Sequence, residues 1–133
     1  MESASNTGWT PLNPAASNGH LEVVRELLKH GAKVESANNN GWTPLYSAAS
    51  NGHLEVARGL LKHGAKVESA NNNGWTPLNS AAAKRHLEVV QELLKHGAKL
   101  ESANINGWTP LKTAATKGHV DIIRLLQKLG ASV

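Results

Sequence analysis

The chain has 133 residues, with 14 Lys and Arg against 10 Asp and Glu, seven histidines, no cysteine and a pI near 9.6. That length suits one ordinary domain, the lack of cysteine excludes a disulfide framework or thiolate metal site, and no apolar run reaches the roughly 18 residues of a membrane-spanning helix. The N-terminal MESASNTG lacks the basic-then-apolar order of a secretory signal, so an intracellular, cytoplasmic location is expected.

One octapeptide punctuates the chain: SNTGWTPL from Ser5, NNNGWTPL from Asn38 and again from Asn71, and NINGWTPL from Asn104. Trp9, Trp42, Trp75 and Trp108 therefore recur every 33 residues. A fixed period of this size marks a stacked array. Four units, 1–34, 35–67, 68–100 and 101–133, account for a single domain, 1–133, and units two and three differ at eight positions.

The elements repeat in the same order in each unit, and unit two illustrates them. Thr43-Pro44 starts a helix, Thr capping the free amides and Pro suiting the first turn. Leu45, Ala48 and Ala49 follow at helical spacing, giving a short helix whose alanines allow close approach of another backbone. Asn51-Gly52 ends it, Gly taking a left-handed conformation. His53 opens a second helix with the apolar stripe Leu54, Ala57, Leu60 and Leu61, and Gly64 ends that one. Ala65 to Glu68 reads as a short extended piece, and Ser69 to Gly74, rich in Asn and Gly, as a turn. Two short helices cannot bury their apolar faces alone, whereas stacked copies build a continuous core.

G-x-T-P-L, two residues, A-A, then G-H-L-E-V-V, L-L and H-G-A resembles the ankyrin repeat in all four units. The near-identical tandem copies are similar to recently duplicated ankyrin arrays, such as fungal ones, and equally to a consensus-designed scaffold. The resemblance implies an all-α fold, an ankyrin-repeat α-solenoid of four helix-turn-helix units with β-hairpin-like finger loops. It also implies that first helices line the concave side and that the function is non-catalytic protein binding.

Departures from the pattern are informative. The family's His after T-P-L is replaced by Asn13, Tyr46, Asn79 and Lys112, positions expected to have lost a local hydrogen bond or to have been released for contact. The turn glycine, kept as Gly19, Gly52 and Gly118, becomes Arg85, at a cost of about 1 kcal/mol if the turn is left-handed. Unit two carries Ala57 for Val24 and Val90, and Gly59 inside its second helix, roughly 0.8–1 kcal/mol worse than Ala; unit two is expected to be the weakest. Gln127 stands where Leu28, Leu61 and Leu94 stand, which suits a capping unit, though Leu125 and Leu129 do not. The first unit has little sign of a cap, so its leading face is expected to be partly apolar and open to end-to-end self-association.

No enzyme constellation emerges. There is no G-x-S-x-G elbow, no G-x-x-x-x-G-K loop and a single aspartate, Asp121. His20, His53, His86 and His119 share one repeat position, and His30, His63 and His96 another. Stacked helices lie about 8–10 Å apart and zinc ligands about 2 Å from the metal, so equivalent histidines cannot share an ion; neither a metal nor any other cofactor is expected. The histidines before the cap glycines suit the negative end of a helix dipole.

The turn and cap do not require tryptophan, so the four aligned indoles either pack the fingers together or form a binding stripe, Trp being enriched where binding energy concentrates. Differences between units cluster on the inner helix and its following turn. The expected contact surface is Trp42, Tyr46, Ser50, Asn51, Trp75, Asn79, Lys84, Trp108 and Lys112. Lys84, Arg85, Lys112 and Lys117 make its C-terminal half basic, which suits an acidic protein partner. The alternatives are a designed or consensus scaffold with no evolved partner, against which the irregular Arg85, Gly59 and Ala57 argue, and a Trp and Asn ladder for glycans or small ligands, for which a solenoid offers no closed pocket. Dispersed lysines and an aromatic stripe not interleaved with them point away from nucleic acid.

Overall fold

The structure, a computed structural model, describes residues 11–131. It contains eight α-helices among those residues: α1 Leu12–Ser17, α2 Leu21–Lys29, α3 Pro44–Ser50, α4 Leu54–Lys62, α5 Pro77–Ala83, α6 Leu87–Lys95, α7 Pro110–Lys117 and α8 Val120–Lys128. The chain is thus an all-α repeat solenoid of four helix pairs. The start signals act as read: the side chains of Thr43, Thr76 and Thr109 accept the amides of Tyr46, Asn79 and Lys112, each with Pro at the first helical position. The first helices end in the left-handed turn, with φ of 73° at Gly19, 75° at Gly52 and 72° at Gly118. Arg85 adopts it at 62°, the one positive-φ non-glycine among the described residues. This is the strained turn the sequence foretold.

Leu12, Leu45, Leu78 and Leu111 from the first helices, and Leu60, Leu93, Ile122 and Leu126 from the second, form one continuous core. Ala16, Ala49 and Ala82 are fully buried at the seams between first helices. These small residues let first helices pack more closely on one another than second helices do. In α4 the stripe includes Val56, buried to 2 % exposure, as well as Ala57, Leu60 and Leu61, whereas Leu54 is only partly covered.

One expectation is corrected. Ala65 to Glu68 is not extended: the Ser69 amide donates to the Lys66 carbonyl at 3.2 Å, closing a turn, and no strand occurs among the described residues. The turn has a purpose that the sequence did not disclose. The Glu35 carboxylate accepts the Lys66 amide at 2.8 Å and the Ser69 hydroxyl at 2.5 Å, and Glu68 accepts the Lys99 amide and Ser102 hydroxyl at 2.9 and 2.6 Å. A carboxylate from one loop thereby clamps the next, and charge-assisted bonds of this kind are stronger than neutral ones.

The histidines that open second helices also bridge units. They do not cap: the ring Nε2 of His53, His86 and His119 lies 2.9, 3.1 and 3.0 Å from the carbonyls of Ser17, Ser50 and Ala83 in the preceding unit. A Cβ on Gly19 or Gly52 would lie 2.7 Å from the ring of His53 or His86. Arg85 carries such a Cβ and His119 still reaches its carbonyl, so that ring yields. Arg85 also gains something: its Nε lies 3.4 Å from the carboxylate of Asp121 in the next unit. Burial pushes Asp121 upward, but the Ile122 amide and Arg85 outweigh it and hold the carboxyl below its ordinary value. The irregular arginine is thus matched by the chain's one aspartate.

Candidate functional site

Each finger is an Asn-closed turn. The Asn38 amide donates to the Trp42 carbonyl at 3.1 Å, and the Asn38 Oδ1 accepts the amides of Asn40 and Trp42 at 2.9 and 3.0 Å. Asn71 and Asn104 repeat these bonds around Trp75 and Trp108. Fingers pair through backbone: Asn72 donates to the Asn40 carbonyl at 3.0 Å and Ile105 to that of Asn73 at 3.1 Å. Gly41 and Gly74, at φ 79° and 81°, permit this approach, since a Cβ there would meet the next finger at 2.6 and 3.1 Å. The turn needs Asn and Gly, and the tryptophan contributes only backbone to it.

The indoles of Trp42, Trp75 and Trp108 are half-buried; Trp9 lies outside the described residues. The Trp42 and Tyr46 ring centres are 5.0 Å apart and tilted by 49°, and the Lys112 ammonium sits 5.1 Å above the Trp108 ring, within cation–π range. The indoles of Trp42 and Trp108 therefore meet a side chain of the helix that follows, and all three leave part of their surface to solvent.

The expected contact residues divide in two. Trp42, Trp75, Trp108, Asn51, Lys84 and Lys112 reach solvent. Tyr46, Ser50 and Asn79 do not, at 5, 4 and 0 % exposure. The next unit covers them. Asn79 completes a capping box with Thr76 and donates its amide to the carbonyls of Ser102 and Trp108 at 3.3 and 3.5 Å. Asn13 likewise reaches the Trp42 carbonyl at 3.2 Å. Tyr46 accepts the Asn71 amide at 3.3 Å; burial pushes its hydroxyl pKa up, and a hydrogen bond with Ser80 opposes this. The Ser50 carbonyl accepts His86. The amides at this position thus supply hydrogen bonds that the missing histidine would otherwise make. Asn51, though exposed, donates to the carbonyl and hydroxyl of Ser17 at 2.9 and 3.0 Å, so it joins units as well as facing solvent.

One accessible residue escaped the sequence reading. Ile105, 73 % exposed at the tip of the last described finger, stands where the other fingers carry Asn39 and Asn72. That apolar departure from an otherwise constant loop was its signal. What remains accessible of the expected surface is part of each of three indoles together with Asn51, Lys84 and Lys112, and Ile105 is exposed on the last described finger.

Among the described residues, no three His, Asp or Glu side chains converge on a metal-sized site, and no helix is long and apolar enough to cross a membrane. His63 and His96 instead place Nδ1 2.9 and 3.0 Å from the carbonyls of Gly59 and Glu92, four residues earlier.

Comparison with known proteins agrees with this architecture. The family model for ankyrin repeats, in three copies, matches residues 1–71 and 65–133. A stretch of 32 residues, 24 % of the chain, is 62 % identical to rat oxysterol-binding protein-related protein 1 and equally to its mouse counterpart. A stretch of 26 residues, 20 % of the chain, is 69 % identical to bovine ankyrin repeat domain-containing protein 49. These matches span 3 % of the first two proteins and 11 % of the third, so they concern the repeat unit and not the larger proteins around it. Ankyrin repeats generally mediate protein–protein interaction and are typically non-catalytic. With the family model covering the chain from end to end, this protein belongs to the ankyrin repeat family.

Proposed function

We propose that the array is a non-catalytic binding module that holds an acidic protein segment along its fingers and inner helices. The observation that carries this reading is accessibility: Trp42, Trp75 and Trp108 each leave part of the indole open at the base of a hydrogen-bonded finger, a row we call the ridge, and Lys84 and Lys112 of the C-terminal half are exposed. Amphipathic rings fixed before contact lose little entropy on binding, which is how Trp concentrates affinity. The lysines attract carboxylates and orient the partner. Tyr46, Ser50 and Asn79 support this surface from beneath and are not part of it; Ile105 joins it.

The test is capture of a partner from lysate by the wild-type array, compared with two variants checked for helicity by circular dichroism. Trp75→Ala removes the central indole and is expected to weaken the captured partner's affinity by about tenfold or more, equivalent to over 1.4 kcal/mol. Lys84→Glu with Lys112→Glu reverses two exposed charges, with loss of the Lys112 contact on Trp108, and is expected to slow association and abolish most of its salt dependence. A partner whose kinetics neither variant alters binds elsewhere, and the ridge reading then fails.

A further inference from the structure

The internal junctions share a histidine contact and a buried aliphatic side chain, and the first and last described helix pairs carry opposite halves of that junction. At each internal junction a leading-face histidine meets a carbonyl of the preceding unit, and Val56, Val89 and Ile122 are buried to 2 % exposure or less. At the first junction Asn51 also donates to Ser17, and at the central one Arg58 reaches across to Glu92 at 3.2 Å.

The first helix pair presents the corresponding leading face to solvent. His20, Asn18 and Glu26, equivalent to His53, Asn51 and Glu92, are exposed. Val23, equivalent to Val56 and Val89, is 49 % exposed. Val23, Glu26 and Leu27 line an open cleft of about 400 Å³.

The last helix pair presents the trailing face. Thr116 takes the place of Ser17 and Ser50, and Arg124 that of Arg58; both are exposed. Gly118 opens onto free space where Gly19 and Gly52 meet the next histidine ring. Ala115 is exposed, although its equivalents Ala16, Ala49 and Ala82 are fully buried, and it lines a cleft of about 530 Å³ with Leu111 and Thr116. Lys112 does not forbid a further unit here. Its equivalents Asn13 and Asn79 donate to backbone carbonyls of the following unit, so the position calls for a donor, which an ammonium is.

We propose that the chain stacks head to tail on further copies of itself, the leading face of α1 and α2 seated on the trailing face of α7 and α8. His20 then meets the Thr116 carbonyl beside Gly118, Val23 is covered, and Glu26 pairs with Arg124 as Glu92 pairs with Arg58. The contact is heterologous, each copy keeping one face of each kind, so assembly continues past the dimer unless the ring closes. Stacking uses the outer faces of the first and last described helix pairs, shares Lys112 with the ridge, and does not depend on the ridge binding anything.

Sedimentation velocity over roughly 10 µM to 1 mM, a range suited to weak association, is expected to show mass rising with concentration beyond two copies. Glu26→Arg and Arg124→Glu alter exposed side chains and leave each chain folded, as circular dichroism would report. Each alone places like charges together and should weaken association about tenfold, whereas the two combined should restore it to within about threefold of wild type. Val23→Glu should abolish it. A protein that stays monomeric throughout, a double reversal that fails to restore association, or self-association that survives Val23→Glu but is lost in Trp75→Ala would each overturn the proposal.

Discussion

Tyr46 stands at a repeat position otherwise filled by Asn13, Asn79 and Lys112, and its environment makes it a pH-sensitive component of the core. Burial favours the neutral phenol over the phenolate, so its pKa in the folded array lies above the ordinary 10.0. Above pH 10 the unfolded chain releases this proton more readily than the folded one does. The stabilisation from the buried phenol is complete below that pH and is lost as pH rises through the raised folded value. Melting temperatures measured between roughly pH 9 and 11 should fall more steeply for wild type than for Tyr46→Phe, which cannot ionise. Parallel slopes would place the alkaline sensitivity in other groups. The same position marks the limit of what was legible at this scale. Variation between units singled it out, and exposure seemed the natural reason for variation. In Asn13, Tyr46 and Asn79 the following finger covers the side chain, and only Lys112 reaches solvent. Position within one helix cannot disclose a lid supplied by a loop some 29 residues later, whereas no such lid closes over Lys84, which is exposed, or over the indoles, which are half-buried.

The helices themselves were legible because their boundaries are written locally. Thr-Pro at the start, Asn-Gly or Lys-Arg at the first break and His-Gly at the second are hydrogen-bonding and backbone signals that act within four residues, and α3 through α6 begin and end at them. The extended reading fails for the opposite reason: residues 65–68 are held in a turn by the Glu35 carboxylate of the neighbouring loop, a contact without local signature. Helix α4 is the element whose sequence opposes its structure most. Gly59 lies in its interior with ordinary helical φ, and a Cβ there meets nothing within 4 Å. Gly59→Ala should therefore stabilise the array by about 0.8–1 kcal/mol, through the loss of backbone freedom in the unfolded chain. Hydrogen exchange is expected to find the α4 amides opening before those of α6 in wild type and to find this gap narrowed in Gly59→Ala. Protection of α4 already equal to that of α6 would mean that its two neighbours, and not its own sequence, set its stability.

In the whole molecule, each helix pair touches only its neighbours, so cooperativity depends on the junctions. The central one joins α3 and α4 to α5 and α6. It holds the His86 bond to Ser50, the Arg58–Glu92 ion pair and the Glu35 carboxylate between the Lys66 amide and Ser69 hydroxyl. The ion pair is half-exposed on the arginine side, and such pairs contribute about 1 kcal/mol or less. Glu35 makes two charge-assisted bonds in a partly covered loop, so it is the stronger coupling element. Glu35→Ala should cost about 2 kcal/mol, and its effect should appear in the shape of the transition as well as its midpoint. With the junction weakened, the two halves begin to unfold separately, and the apparent urea m-value falls because each step exposes less surface than global unfolding. A midpoint shift at unchanged m would mean instead that the buried alanine seams and the remaining bonds keep four repeats unfolding as one unit. The carboxylate clamp would then add stability without setting cooperativity.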